Sequence, residues 1–383
     1  MMTTSPQPAW MDADLRTYRD MVRRFVQAKV AAHEDKWRAQ QHVDRELWRE
    51  AGALGVLLAD VPEEYGGSAG HYGHMAVLFE ELAYAGDSSF GVHVHAIAAH
   101  YILNQGTEGQ KRKYLPQLAS GEMVGAIAMS EPNAGSDLQG VRTTAVRDGD
   151  DYVINGSKIF ISNGFLADLI VVVAKTDTGA GAKGVSLLLL ETKNAPGFKV
   201  GRILEKLGQK GQDTCELFFD EVRVPAANLL GGVEGQGFYQ LMQELPYERT
   251  ILANISIGRI ERALDLTVQY TKDRKAFGRS VFDMQNTRFK LAEVKAQAVV
   301  ARTFTDNCVE RLINGSMDTA TASIAKLWLS ELECKVIDEC VQFFGGYGYM
   351  LEYPITQLYA DARVQRIYGG TSEIMKEIIA RSL

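Results

Sequence analysis

The sequence predicts an α+β protein in which a helical domain, a β domain and a second helical domain follow one another. Apolar residues recur at helical spacing up to about residue 120, and at a spacing of two or in short runs over residues 122–230. Helical spacing returns after Gly231 and Gly232. We therefore expect an N-terminal α-helical domain over residues 1–121, a middle antiparallel β-barrel or β-sandwich domain over residues 122–232, and a C-terminal four-helix bundle domain over residues 233–383.

The composition is that of an ordinary globular protein. Of the 383 residues, 46% are hydrophobic, and the formal net charge of −7 argues against nucleic acid as the main partner. The four cysteines include no CxxC pair, so we expect neither a disulfide framework nor a zinc site. The N-terminal residues lack the apolar segment and the early arginines of a targeting signal, and no apolar run reaches the ~18 residues that span a membrane. We therefore predict a cytoplasmic protein without a membrane span.

Five helical patterns fill the first domain. Two lie within residues 12–58, and the others cover residues 74–85, 90–104 and 108–118. All seven histidines fall within the first 100 residues, so a base in the later two-thirds of the chain is not a histidine. For His93, His95 and His100 we expect helical packing or solvent exposure rather than metal binding, and we predict no metal site.

Seven strands are expected in the middle domain, with Gly, Asp and Asn between them. They cover residues 124–129, 143–147, 152–155, 169–174, 185–191, 198–203 and 216–222. The segment DGDDYVING at residues 148–156 predicts a hairpin between the second and the third strand.

The C-terminal domain is expected to contain one long helix that begins at Pro246 and ends near Arg274. Proline suits the first helical position, and apolar residues recur at helical spacing after it. Further helices are expected over residues 282–314, 318–344 and 354–381. Glu248 then falls in the first turn of the long helix, where a carboxylate either compensates the helix dipole or serves catalysis.

Four motifs give the chain a family resemblance. The segment AMSEPNAGSD at residues 128–137 follows an apolar strand and offers N–H and hydroxyl groups to a polar planar ligand or a phosphate. The other motifs are NGSKIFISNG at residues 155–164, RKAFG at residues 274–278 with Gln285, and QFFGGYGY at residues 342–349 with its continuation to residue 373. In this order, over nearly the whole chain, they resemble the acyl-CoA dehydrogenase family.

The resemblance implies the acyl-CoA dehydrogenase fold, FAD as the cofactor, and an acyl-CoA substrate that is oxidised to its trans-2-enoyl form. Contacts near the flavin ring are implied for Met129, Ser130, Gly135, Ser136, Phe160, Ile161 and Ser162. Contacts with the pyrophosphate and adenosine side are implied for Arg274, Gln285, Gln342, Gly345, Gly346, Thr371 and Ser372. Substrate contacts are implied for Phe90, Ser136, Tyr247, Arg249 and Gly370.

The implied catalytic base departs from the commonest pattern of the family. Many members have a glutamate in a Tyr-Glu-Gly-Thr run, whereas this chain has Tyr-Gly-Gly-Thr at residues 368–371. Members similar to long-chain and isovaleryl-CoA dehydrogenases carry the glutamate on the long helix before an arginine, which matches Glu248 and Arg249. The resemblance thus implies that Glu248 removes the α-proton, while the backbone N–H of Gly369 polarises the thioester carbonyl.

The length of the long helix bears on assembly. Glu248 and Arg274 would lie ~39 Å apart at 1.5 Å per residue, so they cannot both reach one flavin ring. In the family the arginine reaches the cofactor of a neighbouring subunit. The resemblance therefore implies a homo-oligomer, commonly a tetramer built as a dimer of dimers.

The substrate is predicted less sharply than the reaction. Residues 241–251 and 366–381 are most similar to the long-chain group, so we favour medium- to long-chain acyl-CoA, with electrons passed to electron-transferring flavoprotein. An isovaleryl-type or other short branched-chain dehydrogenase is the alternative. A non-catalytic acyl-CoA-binding homologue and a flavin monooxygenase relative are disfavoured by the retained Glu248, and an acyl-CoA oxidase by the length of the chain.

Overall fold

The computed structural model describes residues 8–383 and confirms the three-domain fold. The part of the targeting-signal prediction that rests on residues 1–7 lies outside the described residues. The first region contains α1 (Ala13–Phe25), α2 (Glu34–Gln40), α3 (Arg45–Ala53), α4 (Tyr72–Ala85), α5 (Val92–Gln105) and α6 (Glu108–Ala119). In the described part of the chain, no helix combines the length and the apolar character needed to cross a membrane.

The middle region is one seven-stranded sheet. Its strands are β1 (Gly125–Ala128), β2 (Thr144–Asp148), β3 (Asp151–Ser162), β4 (Leu169–Lys175), β5 (Val185–Glu191), β6 (Phe198–Ile203) and β7 (Thr214–Pro225). The predicted hairpin is confirmed, because Asp148 pairs with Asp151 in the antiparallel β2–β3 ladder. The sheet is antiparallel for most of its pairings, as predicted, but β1 runs parallel to β4 and β2 meets β4 in a parallel bridge.

Strand β4 shows why the apolar runs of this region are nearly continuous. Its residues alternate between two hydrophobic cores: Val171 packs in the core shared with the N-terminal helices, and Val172 in the core on the other face of the sheet. Successive side chains of a strand point to opposite faces. A strand that is buried on both faces therefore needs apolar residues at every position.

The long helix of the C-terminal region is longer than predicted. Helix α7 covers Gly237–Asp273, and Pro246 lies inside it rather than at its first position. The proline is tolerated because apolar and buried residues on both sides, such as Leu241 and Ile251, hold the helix in the core. Glu248 is the twelfth residue of α7, about 16 Å from its start, so the helix dipole does not explain this carboxylate.

The remaining elements complete the bundle. A two-stranded hairpin of β8 (Lys275–Ala276) and β9 (Arg279–Ser280) is followed by α8 (Gln285–Ile313), α9 (Thr319–Phe344), α10 (Pro354–Ala362) and α11 (Ser372–Ala380). The prediction of one helix over residues 354–381 is wrong. The chain leaves the helical conformation between residues 367 and 371, where Gly369 and Gly370 both have positive φ. This break places a turn beside α7.

Candidate active site

Glu248 is a buried carboxylate with one hydrogen-bond donor. Its side chain points from α7 towards α5, where the hydroxyl of Tyr101 donates to Oε1 over 2.7 Å. The residue is 7% exposed. Burial raises the pKa of the Glu248 carboxyl to about 7, and Glu244 acts in the same direction, while Tyr101 and Arg249 oppose the rise. A carboxyl with this pKa can accept a proton near neutral pH.

Glu244 and Tyr101 are functional candidates that the sequence reasoning missed. Glu244 lies one helical turn before Glu248 and accepts hydrogen bonds from Asn104 and Gln105 of α5. Burial raises its pKa as well. The signal in the sequence is the spacing of four between two glutamates on the long helix. Tyr101 becomes identifiable only once α5 is placed beside α7.

Arg249 does not point towards Glu248. Its side chain is buried, Nη1 donates to the Ser323 hydroxyl of α9 over 3.0 Å, and Nη2 lies 3.8 Å from the position that a Cβ on Gly370 would take. The guanidinium therefore stands between α9 and the turn at residues 369–370. Lys326 of α9 joins it there and donates to the carbonyl of Gly370 over 2.6 Å.

The turn at Gly369 and Gly370 fits closely against α7. Gly369 has φ of 63°, and a Cβ at this position would lie 2.5 Å from Cδ1 of Leu252, one helical turn beyond Glu248. A side chain at position 369 is thus opposed both by the backbone and by Leu252. Within residues 8–383, no hydrogen bond of the Gly369 N–H is found. This donor is free for a ligand oxygen.

The loop after β1 is anchored by a buried ion pair that the sequence reasoning did not single out. Lys158 of β3 donates to Glu131 over 2.8 Å and to the carbonyl of Met129 over 3.0 Å. The backbone N–H of Ile159 donates to the carbonyl of Ser130 over 3.0 Å. These contacts join Met129 and Ser130 to β3, whereas Gly135 and Ser136 are exposed further along the loop.

The predicted flavin-facing strand segment lies beside this loop. Phe160 has φ of 62°, in a bulge of the β3–β7 pairing between Lys158 and Ile161, and its side chain is 66% exposed. Ile161 is buried in the sheet core and Ser162 is half-buried. An exposed aromatic ring on a distorted strand suits stacking on a planar ring system such as a flavin.

Thr371 and Ser372 stand at the start of α11. The Thr371 hydroxyl accepts from the N–H of Ile374 as the N-cap, and the Ser372 hydroxyl donates to Glu331 over 2.7 Å. Backbone N–H groups at a helix start favour anions, and the contact of Thr371 and Ser372 with the FAD phosphates stays a prediction.

A second group of predicted cofactor residues lies at the far end of α7. Arg274, Gln342, Gly345 and Gly346 line an open groove of about 490 Å³. The Arg274 guanidinium lies 5.9 Å from the ring centre of Tyr347, which lines the same groove. Gln285 is the first residue of α8 and is exposed, but it does not line this groove.

The structure places the remaining predicted substrate residues in the interior. The Tyr247 hydroxyl donates to Asp60 over 3.1 Å, and its ring stacks on His100 at 3.8 Å. Phe90 is buried against Trp48 with ring centres 4.7 Å apart. These contacts explain both side chains as packing residues, and their contact with substrate stays a prediction. In the described part of the chain, no group of three His, Cys, Asp or Glu residues could hold a metal ion.

Comparison with known proteins agrees with this arrangement. Sequence models of the acyl-CoA dehydrogenase N-terminal, middle and C-terminal domains match residues 12–122, 126–222 and 235–383. The mitochondrial long-chain specific acyl-CoA dehydrogenase of Mus musculus is 49% identical over 369 residues, covering 96% of this chain and 85% of that protein. The mitochondrial isovaleryl-CoA dehydrogenase of Oryza sativa subsp. japonica is 38% identical, with 96% and 90% covered.

Solved structures superpose closely on this chain. An acyl-CoA dehydrogenase from Geobacillus kaustophilus gives a TM-score of 0.95 at 43% identity, with 98% of this chain and 99% of that chain covered. A chain from the electron transferring flavoprotein study of Acidaminococcus fermentans gives a TM-score of 0.93 at 36% sequence identity, with 97% of this chain and 98% of that chain covered. A glutaryl-CoA dehydrogenase from Mycobacterium smegmatis in complex with FADH2 gives a TM-score of 0.90 at 30% sequence identity, with 97% of this chain and 95% of that chain covered.

The chain belongs to the acyl-CoA dehydrogenase family. This confirms the predicted class, an oxidoreductase that depends on FAD. The two residue groups fit such a cofactor. One offers the exposed ring of Phe160 beside a loop with exposed Gly135 and Ser136, and the other offers a cation in an open groove.

Proposed function

We propose that this chain oxidises the Cα–Cβ bond of an acyl-CoA thioester, with Glu248 as the base that removes the α-proton. The observation that carries the proposal is the position of Glu248. It is the carboxylate on α7 whose pKa is raised to about 7 by burial, one helical turn from the residue that packs on the Gly369 turn. Tyr101 orients the carboxylate through its hydrogen bond.

The turn at Gly369 supplies the second catalytic contact. Removal of an α-proton places negative charge on the thioester oxygen, and a fixed N–H donor in a site without water stabilises that charge. The free N–H of Gly369 is such a donor. Lys326 holds the turn in place through the carbonyl of Gly370.

FAD, when bound, supplies the acceptor for the hydride that leaves the β-carbon. On the ring side it would contact Met129, Ser130, Gly135, Ser136, Phe160, Ile161 and Ser162, and on the phosphate side Thr371 and Ser372. Arg274, Gln285, Gln342, Gly345 and Gly346 would hold the cofactor of a neighbouring subunit, because α7 separates Arg274 from Glu248 by ~39 Å. We infer a homo-oligomer, a tetramer built as a dimer of dimers.

The finer assignments follow the resemblance and the named relatives. We propose a medium- or long-chain substrate, contacts of Ser136, Arg249 and Gly370 with it, and electron-transferring flavoprotein as the electron acceptor. The four cysteines are free, which suits a reducing compartment, and we propose the cytoplasm. We also propose domain boundaries near residues 121 and 232.

The test is anaerobic mixing of the FAD-loaded protein with saturated acyl-CoA esters from butyryl to stearoyl, and with isovaleryl-CoA. Bleaching of the flavin band is expected, fastest for a medium or long chain. Fastest bleaching by isovaleryl-CoA would replace the substrate assignment, and a flavin that no ester bleaches would contradict the proposed reaction.

A further inference from the structure

Two buried cations without a carboxylate partner lie beside the turn at residues 369–370. Within residues 8–383, four lysine or arginine residues are buried: Lys158, Arg249, Arg259 and Lys326. Lys158 forms an ion pair with Glu131, and Arg259 forms one with Glu333. In the same described part of the chain, Arg249 and Lys326 form none. A buried charge is costly unless it is paired, so these two cations need another explanation.

The two unpaired cations are close neighbours. Arg249 donates to the Ser323 hydroxyl of α9 over 3.0 Å, and Lys326 follows Ser323 by three residues on the same face of that helix. Burial lowers the pKa of the Lys326 amine to about 8, and the charge of Arg249 acts in the same direction. The amine therefore stays mostly protonated at neutral pH. Like charges held together away from water repel each other, and an arrangement that costs stability in this way indicates a function.

The carboxylates that attract Lys326, which are Glu331 and Glu373, do not neutralise it. Glu331 accepts from Arg366 over 2.8 Å and from the Ser372 hydroxyl over 2.7 Å, and the charge of Arg366 itself repels Lys326. Glu373 is exposed on α11, where water and salt screen its charge. The positive charge of Lys326 is therefore available to a negative charge that develops at the turn.

The charge of Lys326 lies close to the proposed position of the thioester oxygen. The amine donates to the Gly370 carbonyl over 2.6 Å, and Gly370 directly follows Gly369, whose N–H is the proposed donor to that oxygen. Two residues span at most ~7 Å, so the amine lies within ~10 Å of the Gly369 nitrogen. In a buried site with little water, a charge at this distance still acts strongly on a neighbouring charge.

The charges around the proposed site differ in sign between the base and the turn. Glu248 points towards Tyr101 of α5 and has the carboxylate of Glu244 one helical turn away, whereas Lys326 and Arg249 lie at the turn. When the α C–H bond breaks, the proton joins Glu248 and the electron pair moves to the thioester oxygen, which becomes an enolate. Negative charge therefore leaves the side of Glu244 and arrives on the side of Lys326.

We propose that Lys326 is a positioning residue whose positive charge, acting across the turn at residues 369–370, stabilises the enolate oxygen and makes the α-proton of the bound thioester easier to remove. The inference rests on the proposed dehydrogenation and adds a residue to its site. The thioester oxygen is neutral before proton transfer and negative after it, so the charge of Lys326 favours the transition state over the bound substrate. Arg249 adds to the same field. Because Lys326 also fixes the turn through the Gly370 carbonyl, the test separates the charge from the hydrogen bond.

Three substitutions make this separation. Lys326→Arg keeps the charge and a donor, Lys326→Gln keeps a neutral donor for the Gly370 carbonyl, and Lys326→Met keeps neither. With the ester that bleaches the wild-type flavin fastest, we expect Lys326→Gln and Lys326→Met to slow flavin reduction about tenfold or more, and Lys326→Arg to recover most of the rate. Lys335→Met removes an exposed cation from the same helix and should react like the wild type. A wild-type rate in Lys326→Gln would overturn the inference, whereas a wild-type flavin that no ester bleaches would refute the proposed reaction itself.

A substrate analogue isolates removal of the α-proton from turnover. In 3-thiaoctanoyl-CoA a sulfur replaces the β-carbon, so no hydride can leave and the loss of the α-proton stops at the enolate. An enolate beside the oxidised flavin absorbs at long wavelength by charge transfer, and the midpoint pH of this band reports how easily the proton leaves. We expect Lys326→Gln to raise the midpoint by about one pH unit, a tenfold change, and Lys335→Met to leave it in place. An unchanged midpoint in Lys326→Gln, or a folded Lys326→Arg protein with the same raised midpoint, would overturn the proposal, because the charge would then have no effect.

Discussion

The two ends of helix α7 differ in how much of a site one chain completes. Around Glu248 the chain supplies a buried carboxylate, its hydrogen-bond donor and a closely packed turn. Around Arg274 it supplies an exposed cation in an open groove of about 490 Å³. Proton transfer needs the low dielectric that raises a carboxyl pKa, and one chain creates it by folding. A cation that binds phosphate must be accessible to the ligand, and the groove at Arg274 is open to groups from outside the chain.

The largest effect should come from Glu248→Gln. Loss of the base should slow flavin reduction by acyl-CoA roughly 10²- to 10⁴-fold, while binding of FAD and of acyl-CoA stays near normal. Stopped-flow mixing measures the rate. Glu64→Gln, at an exposed carboxylate of the N-terminal region, is the control and should react like the wild type. A near-normal rate of flavin reduction in Glu248→Gln would show that Glu248 is not the catalytic base.

A change at the Arg274 end of α7 should affect the affinity for FAD rather than the rate of flavin reduction. Arg274→Gln should weaken FAD binding roughly 10- to 100-fold, because a charge-assisted hydrogen bond is lost, and the reduction rate at saturating FAD should change little. Fluorescence titration of the apoprotein measures the affinity. Lys275→Gln, at the next and equally exposed cation, should bind FAD like the wild type.

The same two variants test the proposed sharing of a site between subunits. When Glu248→Gln and Arg274→Gln chains are unfolded together and reassembled, one class of mixed site carries both changes and the other carries neither. Activity should therefore recover at limiting FAD. No recovery would show that each chain uses its own Arg274.

A smaller effect is expected for Gly369→Ala. Gly149 has the same φ of 63° with open space around it, so Gly149→Ala isolates the conformational cost, about 1 kcal/mol. Gly369→Ala should cost about 1–2 kcal/mol more, since its Cβ meets Leu252 at 2.5 Å. Denaturant unfolding measures both. Equal losses of unfolding free energy in Gly369→Ala and Gly149→Ala would show that the turn does not pack tightly on α7. Adding Leu252→Ala to Gly369→Ala should remove the extra loss, because the side chain that meets the new Cβ is shortened.

The smallest effect concerns pH. Flavin reduction should rise with pH around the Glu248 pKa of about 7, because only the ionised carboxylate accepts a proton. Tyr101→Phe removes a donor to the carboxylate, so the midpoint should move up and the rate at pH 7 should fall severalfold. Glu244→Gln removes a neighbouring negative charge and should move the midpoint down. Shifts in the same direction in both variants would contradict this assignment of causes.

Some parts of the site were predictable because the signal is local. Three features depend only on residues that are close together in the chain. They are the change in hydrophobic period at residues 122 and 231, the hairpin at Asp148–Asp151 and the motif around Phe160. The helix start predicted at Pro246 was wrong because that signal is also local. The packing of residues 237–245 against the core extends the helix before the proline.

The sequence by itself determined the family, the order of the three regions and the candidate base, because motif spacing and periodicity persist along the chain. Only the tertiary structure decided that Glu248 meets Tyr101, that Lys158 holds the loop at Met129, and that Leu252 closes position 369. These contacts join residues up to 147 positions apart. A pKa, a clash or an unpaired donor depends on which atoms surround a group, and that neighbourhood arises only when distant elements pack together.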